Sequence, residues 1–445
     1  KSGDWVSGTI AVMHHPITLK EKITAFLFGI FIGAILMSIL LYQIPAVRDR
    51  LSWRIDFAMT FLRGVVDPVR PLPTAATGSV DVQAGQIDTL PAETATAAPA
   101  AEAAAPTAAL ASPVPTLSPT PTPLPTAIPA SVQLAAPAYE KQEINNCGPA
   151  SIAMHLRYFG WQGDQKTIAV LLKPIPGDRN VNVEELVSYI NTQAEGLEAQ
   201  YRVGGDVEIL KKLLAAGFPV TIEEAFPMQE SYWLNDDRWA GHYLLLTGYD
   251  DNTRMFKAHD SYVGPDIQIA YQELDERWKA FNRVYVVIYP IYQRADIQSI
   301  LADQWGVNAN RQHALEVAQR ETELNPTDSF AWFNLGTNLV YFEKYSQAAI
   351  AYDRARSAGL PQRMLRYQFG PFFAYFHTGR IDDVLELTDY ALERTPNSEE
   401  AMLWRGWAFY RKGDKQEAIR WFTAALEARP EYSDALYALE FVRSN

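Results

Sequence analysis

The chain holds one cysteine, Cys147, among 445 residues, which excludes an intrachain disulfide and a multi-cysteine metal site. A lone cysteine leaves the redox compartment open. Positive charge is also scarce: 39 Lys and Arg stand against 52 Asp and Glu, a net charge of −13. Phosphate binding needs a basic face, and no Lys/Arg cluster with interleaved aromatics supplies one, so nucleic acid is excluded as the main partner. Between Pro71 and Ala138 aromatic residues are absent and charges few, while 13 of the 28 prolines fall there, in runs such as PVPTLSPTPTPLPTAIP. Such a stretch buries too little apolar surface to order itself, and its prolines favour extended polyproline II. Residues 71–138 are therefore expected to form a disordered stalk or linker.

Long hydrophobic runs are scarce too. The one present, Ile23 to Tyr42 (ITAFLFGIFIGAILMSILLY), carries no charge over 20 positions. As a helix it rises roughly 30 Å, the thickness of a bilayer's hydrocarbon core. It exceeds a signal h-region in length and no small-residue cleavage site follows it. The expectation is a transmembrane helix at 23–42, after an N-terminal tail at 1–22. Residues 43–70 follow as an amphipathic juxtamembrane segment, with Arg54 and Arg63 interrupting its apolar positions. Lys20 and Lys22 before the run and Arg48, Arg50 and Arg54 after it leave the positive-inside balance slightly in favour of a cytoplasmic C-terminal flank. A stalk of this composition usually holds its domain outside the cell, so a single-pass cell-membrane protein with an extracytoplasmic C-terminus is expected. Gly29 and Gly33 form a GxxxG spacing that lets two helices approach, a weak helix-mediated dimer.

What is present, at 48% hydrophobic residues, suffices for two or three folded domains. Globular sequence resumes at Tyr139 with YEKQEINNCGPASIAMHLRYFGW. After Cys147-Gly148-Pro149, apolar residues recur at helical spacing: Ala150, Ile152, Ala153, Leu156, Phe159. Proline suits the first turn of a helix, so a helix starts at Cys147. The partial positive charge of a helix N-terminus stabilises a thiolate, the reactive form. An inert buried cysteine is the competing reading. Among the seven histidines, His14 and His15 precede the apolar run, His155 lies further along the helix, and His313 and His377 fall in C-terminal repeats. His242 and His259 are left as bases. GHYLLLTGYDD places His242 at the head of a buried strand, and MFKAHDSY reads as the strand that returns. His259 and Asp260 then point to opposite faces, and only one addresses the cysteine. If it is Asp260, that carboxylate can hold the His242 ring with its other nitrogen free for Cys147.

QEINNCGPASIAMHLRYFGW, WAGHYLLLTGYDD and AHDSYVGP together resemble papain-like cysteine peptidases related to the double-glycine peptidases that process bacteriocin leaders. The resemblance covers about 139–291, with GFPVTI as a central strand and VYVVIYP as a closing one. It implies an α+β papain-like domain at 139–293 with Cys147 as nucleophile, His242 as general base and Asp260 as the orienting residue. Gln142 would donate to the oxyanion, although it lies five residues before the cysteine and not the family's usual six. No cofactor or metal is implied, and the substrate is a peptide or protein. The sequence contains no GxxxxGK[ST] phosphate loop and no second apolar span, so export coupled to leader cleavage is not carried over. Trp233, Trp239 and Trp278 are candidates for a substrate groove, with burial as the competing role.

Prolines at 326, 361, 396 and 430 recur at spacings of 35, 35 and 34. The interior residues agree: Trp332, Leu335, Gly336, Ala348, Tyr352 and Ala355 in one unit, and Gly406, Gly413, Ala418, Phe422 and Ala425 in another. Residues 294–445 thus resemble a tetratricopeptide array, degenerate at Phe372 and Val384 and closed by a capping helix over Tyr432–Val442. Such arrays bind peptides or proteins, or serve as scaffold. The fold class is therefore multidomain: transmembrane helix, disordered Pro/Thr/Ala-rich stalk, α+β papain-like domain, and all-α solenoid. The expected function is peptide hydrolysis, or acyl transfer, by a Cys-His-Asp triad, with the repeats recruiting a partner. An inactive membrane-tethered adaptor is the alternative.

Overall fold

The computed structural model describes residues 19–66, 68–75, 128–173 and 181–444. Most of the tail at 1–22 and of the stalk at 71–138 lies outside the described residues. The chain divides into two units, residues 1–68 with 232–234, and the rest. In the first, α1 (Leu19–Tyr42) and α2 (Pro45–Val66) are helices. Lys22–Tyr42 is, among the described residues, the one stretch long and apolar enough to cross a membrane. Its large side chains, including Phe26, Phe28, Phe31 and Leu36, are exposed. Pro45 opens α2 at the position where a missing N–H costs nothing.

The second unit begins its folded middle domain with β1 (Ser131–Gln133), then α3 (Cys147–Tyr158), α4 (Gln165–Leu172) and α5 (Val183–Gln193). Next come β2 (Leu197–Arg202), α6 (Val207–Ala215), β3 (Val220–Pro227), β4 (Trp239–Asp250), β5 (Met255–Asp260), β6 (Gly264–Ala270), α7 (Tyr271–Lys279) and β7 (Tyr285–Pro290). The strands form one antiparallel sheet in the order β2-β7-β3-β4-β5-β6, with β1 also on β4. The central strands β4 and β7 are nearly continuous apolar runs because both faces are covered. Tyr243, Val286 and Ile288 pack with Ile152 and Leu156 of α3 and Leu186 and Ile190 of α5. Leu244, Leu246, Val287 and Ile222, from the alternate positions, pack with Leu210 and Leu214 of α6 and Trp278 of α7. Helices α4 and α6 start on Asp164 and Asp206, whose carboxylates accept from backbone N–H groups two residues into the helix after the first.

The C-terminal region is helical throughout: α8 (Arg294–Leu301), α9 (Val307–Leu324), α10 (Ser329–Tyr341), α11 (Tyr345–Ala358), α12 (Met364–Tyr367), α13 (Gly370–His377), α14 (Ile381–Arg394), α15 (Glu399–Arg411), α16 (Lys415–Ala428) and α17 (Ser433–Ser444). Small residues set the helix pairs. A Cβ on Gly336 would stand 2.7 Å from the Tyr352 ring, and one on Gly406 2.5 Å from the Phe422 ring.

Three boundaries differ from those read in the sequence. Ser131–Gln133, assigned to the stalk, pairs with Gly248–Asp250, and Asp251 N–H donates to Ala130 O. At the stalk's other end Leu72 is buried in the array's core, and the Arg356 guanidinium donates to Pro73 O and Thr74 O. Composition averages over such short docked pieces. Finally α8, counted with the repeats, buries Ile297, Ile300 and Leu301 in the sheet's own core.

Candidate active site

Three elements converge on Cys147. The turn before α3 has Asn145 in the left-handed region at φ 52, a conformation asparagine tolerates better than most residues. Asn146 is buried, its amide donating to Gln165 Oε1 at 2.8 Å. Gln165 in turn donates to Glu140 Oε1 and Lys141 O, so the loop ahead of the helix is tied down by α4. Helix α3 can approach β4 because residue 148 is glycine: a Cβ there would press on the Tyr243 ring at 3.3 Å. The half-buried thiol lies at the first helical position, where backbone N–H groups have no intrahelical acceptor.

His242 sits near the start of β4 and Asp260 at the end of β5. Their ring and carboxylate meet at 2.8 Å, Nε2 to Oδ1, with both side chains buried. The same Oδ1 accepts from Tyr262 N–H at 2.7 Å and Val263 N–H at 3.0 Å, which fixes the carboxylate. The His242 ring and the Cys147 thiol each shift the other's charge. Nε2 being engaged by Asp260, the δ nitrogen is the one left to face sulfur. His259 points the other way: its Nε2 meets Pro137 O at 3.1 Å and its Nδ1 accepts from Asp266 N–H. Of the two neighbours, Asp260 is the one whose side chain meets His242.

The thiol and the ring each favour the charged form of the other. Burial pushes the Cys147 thiol up, but the hydrogen bond and charge of His242, the Tyr243 backbone and the Lys173 ammonium outweigh it, and the net shift is downward. Burial would lower His242, yet its hydrogen bonds and charge contacts with Asp260 and Cys147 raise it to about 10. Asp260 is held below the usual carboxylate range, its burial offset by His242 and the two N–H donors.

Gln142 is tied to the residue that follows Asp260. Its N–H donates to Ser261 O at 2.8 Å and its Oε1 accepts from Ser261 Oγ at 2.9 Å, leaving the Nε2 hydrogens as the donors of the side chain. Of the tryptophans, Trp278 is fully buried with its N–H on Val284 O, and Trp233 is buried. Trp239 is half-buried and stacks on Phe281 and Phe330. His155 is buried against Thr221 Oγ1, and burial lowers it to about 3, so it stays neutral.

Two carboxylates near the site carry no signal in local sequence. Glu224 stands directly across from His242 in the β3–β4 pair, 1% exposed, with its Oε2 lacking a hydrogen-bond partner. Burial raises it to about 7 against the attraction of His242 and Arg277. Glu223 pairs with Tyr243, and burial together with the charge of Cys147 holds it well above the carboxylate range. Alternation along β3 would have placed either one on a face, but not beside the site.

The family model for the Peptidase_C39 like family matches residues 126–286, and that for the tetratricopeptide repeat matches residues 399–432. Comparison with curated proteins found no match. Among solved structures the chain is similar to xylellain, a cysteine protease from Xylella fastidiosa, at 16% identity and a TM-score of 0.30, covering 37% of this chain and 87% of that one. It is similar to the peptidase domain of Streptococcus ComA, a bi-functional ABC transporter involved in quorum sensing, at 13% identity and a TM-score of 0.27, covering 35% and 99%. It is also similar to YrrB, a TPR protein with an unusual peptide-binding site, at 18% identity and a TM-score of 0.18, covering 33% and 88%. The middle domain is C39-peptidase-like and the C-terminal region is a tetratricopeptide region.

Proposed function

We propose that the chain is a membrane-anchored thiol peptidase whose nucleophile is Cys147. The observation that carries this is the buried His242–Asp260 bond beside a thiol held below its ordinary pKa. The Cys147 thiolate attacks a peptide carbonyl carbon. Negative charge develops on the carbonyl oxygen, where the Gln142 amide and the first N–H groups of α3 are the donors. The His242 imidazolium then gives its proton to the departing amine, leaving a thioester on Cys147. Water adds to the thioester with His242 as base, and the acid leaves. An amine replacing that water would make the reaction acyl transfer. Asp260 keeps the ring oriented and its charge favours the imidazolium throughout.

In this reading α1 anchors the protein, the domains that follow it lie outside the membrane, and the array recruits a protein or peptide. Gly29 and Gly33, with open space around both, permit a weak helix dimer. Protease treatment of intact cells tests the orientation: cleavage within the stalk supports it, and an untouched stalk opposes it. For the chemistry, the full chain is incubated with a proteome-derived peptide library and new termini are read by mass spectrometry. Termini that vanish with Cys147→Ala support hydrolysis. Their absence with the unmodified protein favours the adaptor.

A further inference from the structure

The repeat that fits the tetratricopeptide period worst grips the middle domain beside the thiol site. Gln362 N–H donates to Asp237 Oδ2 at 2.6 Å, and its amide to Asn235 O at 3.1 Å. Arg363 forks onto both oxygens of Asp236 at 2.6 and 2.7 Å and reaches Trp239 O at 3.2 Å. Arg366 Nη2 donates to Asn145 Oδ1 at 3.1 Å, and Gln368 to Ala280 O at 2.8 Å. Between these the Tyr367 ring meets Trp239 and Phe281 edge to face.

The places gripped are not arbitrary. Asn145 lies two residues before Cys147 and is the left-handed residue that turns the chain into α3. Its two oxygens are held from different elements, the carbonyl by the Lys173 ammonium and Oδ1 by Arg366. Trp239, whose carbonyl Arg363 holds, opens the strand that carries His242 three residues later. The Arg363–Asp236 pair is almost wholly buried, with side-chain exposures of 4% and 0%. A buried pair of this kind gains little net stability after desolvation and fits better as a device that fixes register.

We propose that Gln362–Gln368 is a positioning element of the thiol site, Arg366 holding the loop that leads to Cys147 and Arg363 the strand that carries His242. This rests on reading Cys147 and His242 as the reactive pair. A misplacement of about 1 Å costs on the order of 100-fold in rate in such a pair, so two grips on its flanking segments matter to chemistry. The array is then part of the catalytic unit, and this face of it is already occupied.

The test uses the full chain with Arg366→Ala, Arg366→Lys and Asn145→Gly, the last keeping the left-handed backbone while removing the acceptor. Two quantities are read: Cys147 alkylation against pH, and hydrogen exchange over residues 142–147. Arg366→Ala is expected to raise the thiol's apparent pKa by about one unit, lowering its alkylation rate at pH 6 about tenfold. Exchange over 142–147 speeds up while β7 stays protected. Arg366→Lys restores most of both, and Asn145→Gly reproduces the alanine result. Unchanged exchange over 142–147 in both Arg366→Ala and Asn145→Gly overturns the proposal. Faster exchange alongside an ordinary wild-type thiol sustains the positioning and removes the reactive-thiol reading instead.

Discussion

Glu224 is a buried acid with one oxygen unsatisfied, set across a strand pair from His242. Its folded pKa of about 7 lies above the unfolded carboxylate value. The folded state therefore holds the proton more tightly, and the stability this contributes is complete below the unfolded pKa and lost as pH rises through 7. The loss amounts to about 3 kcal/mol for a shift of this size. Glu224→Gln should flatten the stability profile between those pH values and leave the protein more stable than wild type at pH 8. Denaturant titrations across that range check it, and a slope that survives the substitution would reject the assignment. Asp260→Asn acts on the other side of the ring. Removing the charge that raises His242 should cut Cys147 alkylation at pH 6 by about tenfold or more, through a lower thiolate fraction. Cys147, His242 and Asp260 were legible because each sits in a local pattern, a helix start or a strand beside a turn. Glu224 and Arg366 were not, since their roles come from neighbours on other elements.

Helix pairing is the next scale, and glycine is its clearest probe. Alanine normally stabilises a helix interior relative to glycine by about 0.5–1 kcal/mol. At Gly336 the added methyl would press into the Tyr352 ring at 2.7 Å. Gly336→Ala is therefore expected to destabilise by about 1–3 kcal/mol, the cost of overpacking. A thermal melt gives the sign directly, and stabilisation would mean that α10 and α11 yield at no cost. The 34- and 35-residue spacing made these helices readable, and apolar runs did the same for β3, β4 and β7. The parts that escaped are those whose structure depends on what they touch. β1 is three residues long and ordered by pairing with β4. Leu72 to Thr74 follow a polyproline-like composition yet dock on Arg356 and the array's core.

Across the second unit, the middle domain and the array share their packing. Ile297, Ile300 and Leu301 of α8 lie in the sheet's core. Arg283 pairs with Glu321, Lys279 with Asp328, Arg429 with Glu185, and Asn310 exchanges hydrogen bonds with Val203. Val69–Ser231 and Asn235–Asn445 should accordingly melt in one calorimetric transition, with equal calorimetric and van't Hoff enthalpies. Two separated transitions would show that the array is a loosely tethered appendage. Ending the chain at residue 293, as the sequence boundary suggests, should lower the melting temperature of what is left or leave it insoluble, because it strips α8 from the core.

The reactive thiol can be tested in the intact protein because Cys147 is its only cysteine, so any alkylation reports on that site. The rate of iodoacetamide labelling is followed from about pH 4 to 10 in wild type and His242→Ala, against an ordinary thiol's value near 8.5. The ion pair predicts a wild-type rate that rises well below that value, and a His242→Ala profile that returns to it. A wild-type profile centred near about 8.5 and unchanged in His242→Ala would contradict it.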